Sequence, residues 1–264
     1  MNYIDFHTHA FPDKLAASTI PALEKEGNVS AALDGTITSL LNSMDRADIG
    51  ISVLCSIATR PEQFDSILSW CQKNRTNRIT PFPSFHPDSP VATQQIKEIH
   101  NLGFKGVKMH PFYQDFYLDE ERLFPFYAKI EELGLILMMH TGYDIGFPRD
   151  RRADPSKIVA ITRQFPDLKF VATHLGAWDQ WEEVQEILAG ENVYMDIAFS
   201  LEFMEPDKAK EIINAHPNEK ILFGSDSPWS DQSETISLLK NLNLGDSKEM
   251  AILRGNAEKL LKGK

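Results

Sequence analysis

"YIDFHTHAF", residues 3–11, decides how this chain is read. Aromatic, β-branched and polar residues in so short a run describe a half-buried strand, and Asp5, His7 and His9 fall on alternate positions of it. Residues i and i+2 of a strand face the same way. The pattern therefore predicts three metal- or proton-handling side chains on one face of the first strand. Inert scaffold has no use for them; a strand whose end builds a site does.

Seven more short apolar runs follow: "ISVLCSI" (51–57), "ITPFPSF" (79–85), "FKGVKMH" (104–110), "LILMMHT" (135–141), "KFVATHL" (169–175), "VYMDIAF" (193–199) and "ILFGSDS" (221–227). Segments of helical spacing lie between them, such as "TITSLLNSMDRADI", "DPSKIVAITRQF" and "WDQWEEVQEILAG". Most open near a Thr, Asp, Ser or Pro, as helix starts do. Strict alternation predicts a parallel sheet, and eight units predict an α/β fold closed as a (β/α)8 TIM barrel with its active site at the C-terminal ends of the strands. The 264 residues match the roughly 250 of one such barrel, so residues 1–264 are read as a single domain. The longest connection, residues 12–35, is read as a flap or insertion over the barrel mouth, and the Gly- and charge-rich residues 142–155 as a second loop at that mouth.

A net charge of −11 argues against a nucleic-acid or anionic-membrane partner. The two cysteines, Cys55 and Cys71, form no recognisable zinc-ligand set and sit in apolar patterns, which suits core positions in a reducing compartment. No charged leader with an apolar stretch precedes the first strand, and no apolar run reaches the ~20 residues of a membrane helix. A cytoplasmic location is expected. A homodimer is in keeping with barrels of this size.

The polar residues at the ends of these strands form a pattern of their own. His7 and His9 end the first, His86 follows the third, Lys108 and His110 end the fourth, His140 the fifth, His174 the sixth, and Asp226 the eighth, while Asp196 lies in the seventh. The C-terminal ends of barrel strands converge on one mouth. His7 and His9 there make a pincer for a divalent cation. His140 and Asp226 complete a three-nitrogen, one-oxygen set that suits Zn²⁺ and also Mn²⁺ or Fe²⁺. A position left to water would make the centre catalytic, since a bound cation brings water toward a pKa of ~7.

The chain resembles the amidohydrolase superfamily of metal-dependent barrels, in its amidohydrolase 2 branch. That branch includes aminocarboxymuconate-semialdehyde decarboxylase and γ-resorcylate decarboxylase. The resemblance rests on "DFHTH", "GFKGVKMHP", "MMHTG", "THLGA", "FGSDSPW" and the closing "ILRGNAEKLL", which run in the family's order over nearly the whole chain. It implies that His7, His9, His140 and Asp226 hold the metal. It makes His174 either a further ligand or an acid/base beside the metal-bound water, and lets Asp226 accept a proton. A strand-four Lys is carboxylated and bridges two metals in some branches. The other motifs here resemble the one-ion branch, so Lys108 and His110 are expected to touch substrate or bound water.

The remaining candidates keep two readings each. His86 is a pocket-wall donor or a turn residue. Arg149, with Arg151 and Arg152, either grips an anionic substrate or belongs to a solvated loop paired with Asp150 and Asp154. Asp5 either hydrogen-bonds a ligand imidazole from below or is tied to neighbouring backbone; Asp196 has the same pair of readings, with the structural one preferred. Trp178 and Trp229 are an aromatic wall or packing under a loop. The expected activity is hydrolysis of an amide, lactone or ester of a small organic acid by a metal-activated water, with His174 and Asp226 moving protons. The alternatives are a decarboxylating lyase on the same site and a barrel that binds ligand without turnover. No nucleophile elbow and no Gly-rich phosphate loop is present.

Overall fold

The computed structural model describes residues 2–263. Its eight strands are β1 (Tyr3–Thr8), β2 (Ile49–Cys55), β3 (Ile79–Phe82), β4 (Gly106–Met109), β5 (Ile136–Met139), β6 (Lys169–Ala172), β7 (Tyr194–Asp196) and β8 (Ile221–Leu222). All neighbours pair in parallel, in the orders β1-β2-β3 and β4-β5-β6-β7-β8. Two seams close the ring. Between β3 and β4, Lys108 N–H donates to the Pro83 carbonyl (2.9 Å) and Ser84 Oγ–H to the Lys108 carbonyl (2.8 Å). Between β8 and β1, Phe6 N–H donates to Phe223 O and Asp226 N–H to His7 O, both at 2.8 Å. The result is the (β/α)8 barrel that the alternation predicts.

The helices are α1 (Asp13–Gly27), α2 (Ile37–Arg46), α3 (Phe64–Asn74), α4 (Ala92–Asn101), α5 (Phe124–Glu132), α6 (Pro155–Gln164), α7 (Trp181–Glu183), α8 (Pro206–Ala215), α9 (Gln232–Asn241), α10 (Asp246–Met250) and α11 (Asn256–Lys262). Thr36, Asp154 and Asp231 cap α2, α6 and α9 by accepting backbone N–H groups of the first turn. The residues read as a flap are mostly helix. Ala16 and Ile20 bury one face of α1, which continues through Pro21 to an αL cap at Asn28. The helix expected at 178–190 is one turn, α7, running into a π turn at Val184–Leu188.

Two apolar clusters hold the layers. The larger lies between strands and helices and includes Leu54, Val107, Leu137, Phe170 and Ile212. The smaller fills the barrel interior with alternate strand residues, among them Ile4, Phe6, Val53, Phe82, Met138 and Val171, with Ala257 and Leu260 of α11 packed against them. Interior space is tight enough that a Cβ on Gly106 would stand 2.6 Å from the Phe82 ring. Among the described residues no helix is long and apolar enough to cross a membrane.

The strands are shorter than the apolar runs, and the difference falls at the mouth. "ILFGSDS" pairs as a strand only over Ile221–Leu222. Beyond the ladder the backbone turns: His174 and Asp226 adopt φ of 60° and 63°. Non-glycine residues persist in this left-handed region where surrounding structure holds them, as it often does at sites.

Candidate metal centre and its cavity

Four histidines each have one ring nitrogen tied to an oxygen. At His9, Nδ1–H donates to the Cys55 carbonyl (3.0 Å). A carbonyl only accepts, so the proton sits on Nδ1 and Nε2 is bare. At His7, Nδ1–H donates to Asp196 Oδ2 (3.0 Å), while the other oxygen of that carboxylate accepts the N–H groups of His174 (3.0 Å) and Ala198 (3.1 Å). At His174, Nδ1–H donates to the Ala198 carbonyl (2.9 Å), and at His140, Nε2–H donates to the Tyr143 carbonyl (3.1 Å).

The four untethered nitrogens face inward in pairs. Nε2 of His7 and Nε2 of His9 are 3.2 Å apart, and Nε2 of His174 lies 3.1 Å from Nδ1 of His140. Asp226 Oδ1 lies 3.2 Å from Nε2 of both His7 and His9. Lys108 Nζ stands 3.2 Å from the same nitrogen of His7. Burial, reinforced by Lys108 and the neighbouring imidazoles, holds His7 well below the usual histidine range. Burial and His110 do the same to His140, and burial lowers His174. Neutral imidazole is the form that ligates a metal. Apart from the Lys108 ammonium beside His7, nothing in this set brings a proton to the bare nitrogens, and with the carboxylate next to them they fit a divalent cation by the chemistry of the donor set.

Behind this set, His110 Nε2 lies 3.2 Å from Asp144 Oδ2, its ring stacks on His140 at 4.0 Å, and its Nδ1 is buried without a partner. His110, His140 and Asp144 thus bring a second group of donor atoms within 4.8 Å of one another. Gln114 fixes the end of β4: its Oε1 accepts the His110 N–H, and its Nε2 donates to the Ala58 and Phe85 carbonyls.

The centre opens on a cavity of about 490 Å³. His7, His9, Lys108, His110, His140, His174 and Asp226 line it, together with Trp178 and Trp229. Gly142, at φ 85°, lets the chain after β5 pass so close to Trp178 that a Cβ would lie 2.0 Å from its backbone nitrogen.

Three residues that kept two readings are placed away from the cavity side of the centre. Arg149 does not line the cavity. It is 68% exposed, pairs with Asp179 and lies over the Tyr143 ring, while Arg151 pairs with Glu183 and Arg152 with Asp115 and Asp150. The loop's cations are thus matched by acids outside the mouth. His86 is also outside: it is buried in a turn, where its Nδ1 accepts the Asp88 N–H (3.2 Å). The imidazole partner is Asp196, not Asp5. The β1–β2 pairing shifts register between Asp5 and Thr8, so Asp5 falls behind the sheet, where it accepts from Ser225 N and Oγ, from Gln232 Nε2 and from the His7 backbone.

A closed barrel with imidazoles and a carboxylate gathered at its C-terminal mouth defines a class of metal-using barrel enzymes. The chain belongs to the amidohydrolase family, whose model matches residues 4–263. Among solved structures it is similar to an uncharacterised TIM-barrel protein from Bordetella bronchiseptica, with 21% identity, 100% and 99% of the two chains covered, and a TM-score of 0.81. It is also similar to 5-carboxyvanillate decarboxylase from Sphingomonas paucimobilis (14% identity, 99% of both chains, TM-score 0.72). A third likeness is to a dihydroxybenzoic acid decarboxylase from Polaromonas, with bound manganese and the inhibitor 2-nitroresorcinol (15% identity, 99% and 97% covered, TM-score 0.69). No curated protein matches the chain. The chain is an enzyme of the amidohydrolase superfamily.

Proposed function

We propose that this enzyme uses one divalent cation, held by His7, His9, His140 and Asp226, to remove the carboxyl group of a small organic acid. The observation that carries the reading is the inward-facing set of bare nitrogens at His7, His9, His140 and His174, each fixed by an oxygen on its other side. Three nitrogens and a carboxylate suit Zn²⁺ and are compatible with Mn²⁺ or Fe²⁺. One ion is preferred to two because a second, among His110, His140 and Asp144, would have to take His140 Nε2 from the Tyr143 carbonyl. When bound, such a cation supplies a Lewis-acid site for oxygens of substrate or water.

The protein's own groups divide the remaining work. Among the described residues Lys108 is the one Lys or Arg on the cavity wall, so it, rather than Arg149, meets the charge of an anionic substrate. His110, which lines the same cavity, is the second side chain to meet that molecule. In decarboxylation the C–C bond to the carboxylate breaks, its electron pair stays on carbon, CO₂ leaves, and a proton drawn from water and relayed by His174 or Asp226 takes its place. Apolar walls around the centre favour this chemistry, because a poorly solvated carboxylate gives up its charge more readily. The decarboxylases among the structural relatives support the same choice. Hydrolysis of an amide, lactone or ester is the second reading. One observation favours it: His174 Nε2 carries no proton, as a general base for water requires.

The test is elemental analysis of protein purified without chelator, followed by product analysis. One equivalent of metal per chain is expected, falling sharply in His7→Ala and Asp226→Ala while the circular dichroism is retained. Unchanged occupancy in those variants removes the ligand assignments. Release of CO₂ identifies decarboxylation; a new carboxylate without CO₂ identifies hydrolysis.

A further inference from the structure

The cavity extends well beyond the cation-binding set. Its far side is walled by α1, by the segment after β2 and by α3, through Leu15, Leu23, Ile57, Ile67 and Trp70. Each helix already buries a separate face: Ala16 and Ile20 on α1, and Phe64, Leu68 and Cys71 on α3. Leu15, Thr19 and Leu23, at spacings of four, form a second stripe on α1 that faces the cavity, and Ile67 and Trp70, three apart, do the same on α3. Ile67 and Trp70 pack in part against the larger cluster, and all five apolar side chains of the wall still present surface to the cavity. Leu15 is 49% exposed, and Leu23, Ile57, Ile67 and Trp70 are all partly exposed.

The chemistry of this arm is uniform. Thr19, Ser56, Thr59, Gln63 and Ser66 are its uncharged polar side chains, and Glu26, at the end of α1 beside the loop after β5, is its one charged residue. The other charged side chains and the histidines among the described lining residues belong to the centre and to Asp144. A volume of about 490 Å³ lies within the ~300–1,000 Å³ of sites for drug-sized ligands. That is more than a compact one-ring acid fills.

We infer that the substrate carries an uncharged, apolar extension, which lies in the arm between α1 and α3 while its reactive carboxyl or acyl head sits at the centre. The inference rests on the proposed function for the position of the head only. Leu15, Ile67 and Trp70 are then specificity-determining residues that touch the tail. Wetting these apolar walls is unfavourable, and a chain of methylenes displaces that water for a gain proportional to the area covered.

The experiment is isothermal titration of the metal-supplemented enzyme with linear monocarboxylates from acetate to decanoate, below micelle-forming concentrations. Affinity is expected to rise about two- to fourfold per added methylene until the arm is filled. Ile67→Asp should flatten the series for the longer acids and leave acetate binding as it was. Leu15→Asp, on an already half-exposed position, should do the same and stands in if Ile67→Asp does not fold. A metal-loaded enzyme that binds acetate and decanoate equally well overturns the arm and leaves the metal reading intact. So does a chain-length gradient that survives in both variants. A gradient in protein that retains no metal keeps the arm and sinks the metal reading. Binding of no acid to metal-loaded protein overturns the arm as well.

Discussion

Asp196 shows what one residue does at this centre. Its carboxylate accepts from His7 Nδ1 and from two backbone N–H groups, a set made only of donors, although burial pushes its pKa up to about 7. The carboxylate thereby decides which nitrogen of His7 carries the proton and aims the other at Asp226. Asp196→Asn would present an amide that cannot accept from every donor at once. We expect metal affinity to fall by roughly ten- to a hundredfold with little change in fold, a typical cost when such an outer partner is lost. Chelator competition reads this directly, and an affinity equal to wild type would show that His7 needs no such support. At this scale the sequence was legible where side chains sit at strand ends. His7, His9, His140, His174 and Asp226 meet as their places in the alternation predict. It was not legible where backbone regularity fails. Strict alternation puts Asp5 beside His7, but the register shift between Asp5 and Thr8 turns it away. Asp196 looks like an ordinary buried strand residue until its long-range hydrogen bond to His7 of β1 is known.

Elements are placed by interactions of the same kind, and α8 offers a case remote from the centre. His216 caps its C-terminus, donates from Nε2 to the Val193 carbonyl (2.8 Å) and accepts the Gly190 N–H at Nδ1 (3.3 Å), so it pins the helix to the chain entering β7. Only neutral imidazole can do both. Burial pushes its pKa down to about 4. Unfolded, it titrates near 6.5, so between pH 6.5 and 4 the unfolded chain binds a proton that the folded one refuses. Its contribution is full above pH 6.5 and is lost as pH falls through 4, amounting to at most ~3 kcal/mol. His216→Gln keeps a donor and an acceptor without the titration, so its Tm should drop less than wild type's between pH 6.5 and 4; parallel curves would refute the assignment. In the sequence His216 shows only as a residue before Pro217 at a helix end, which hides its tautomer-specific task. The same limit applies to α1. Its helical spacing is present in the sequence, but a helix with two apolar stripes reads as an irregular insertion until a cavity is there for the second stripe. In the loop after β5, Arg151 with Asp154 and Arg152 with Asp150 pair as the local sequence suggests, while Asp179 at Arg149 and Glu183 at Arg151 are hidden by sequence distance.

For the whole molecule, the decisive feature is the seam between the first and last strands. Main-chain bonds from Phe6 to Phe223 and from Asp226 to His7 close it. Behind it, the Asp5 carboxylate gathers Ser225 and Gln232, with burial raising its pKa to about 6. At the mouth, His7 and His9 on one side of the seam face Asp226 on the other, so a cation held by all three would bind the closed barrel and not the unfolded chain. By mass action, metal at a hundred times its Kd would add about 2.7 kcal/mol. At roughly 2–4 °C per kcal/mol for a chain of this size class, Tm should rise by roughly 5–10 °C, and chelation should reverse the rise. Two variants separate the metal from the seam. Asp226→Ala should abolish the metal-dependent increment. Asp5→Asn should lower Tm with and without metal, because it leaves buried donors poorly matched, yet keep the increment. A Tm indifferent to Zn²⁺, Mn²⁺ and Fe²⁺ in the wild-type chain would mean that these imidazoles and Asp226 close the barrel without a cation between them.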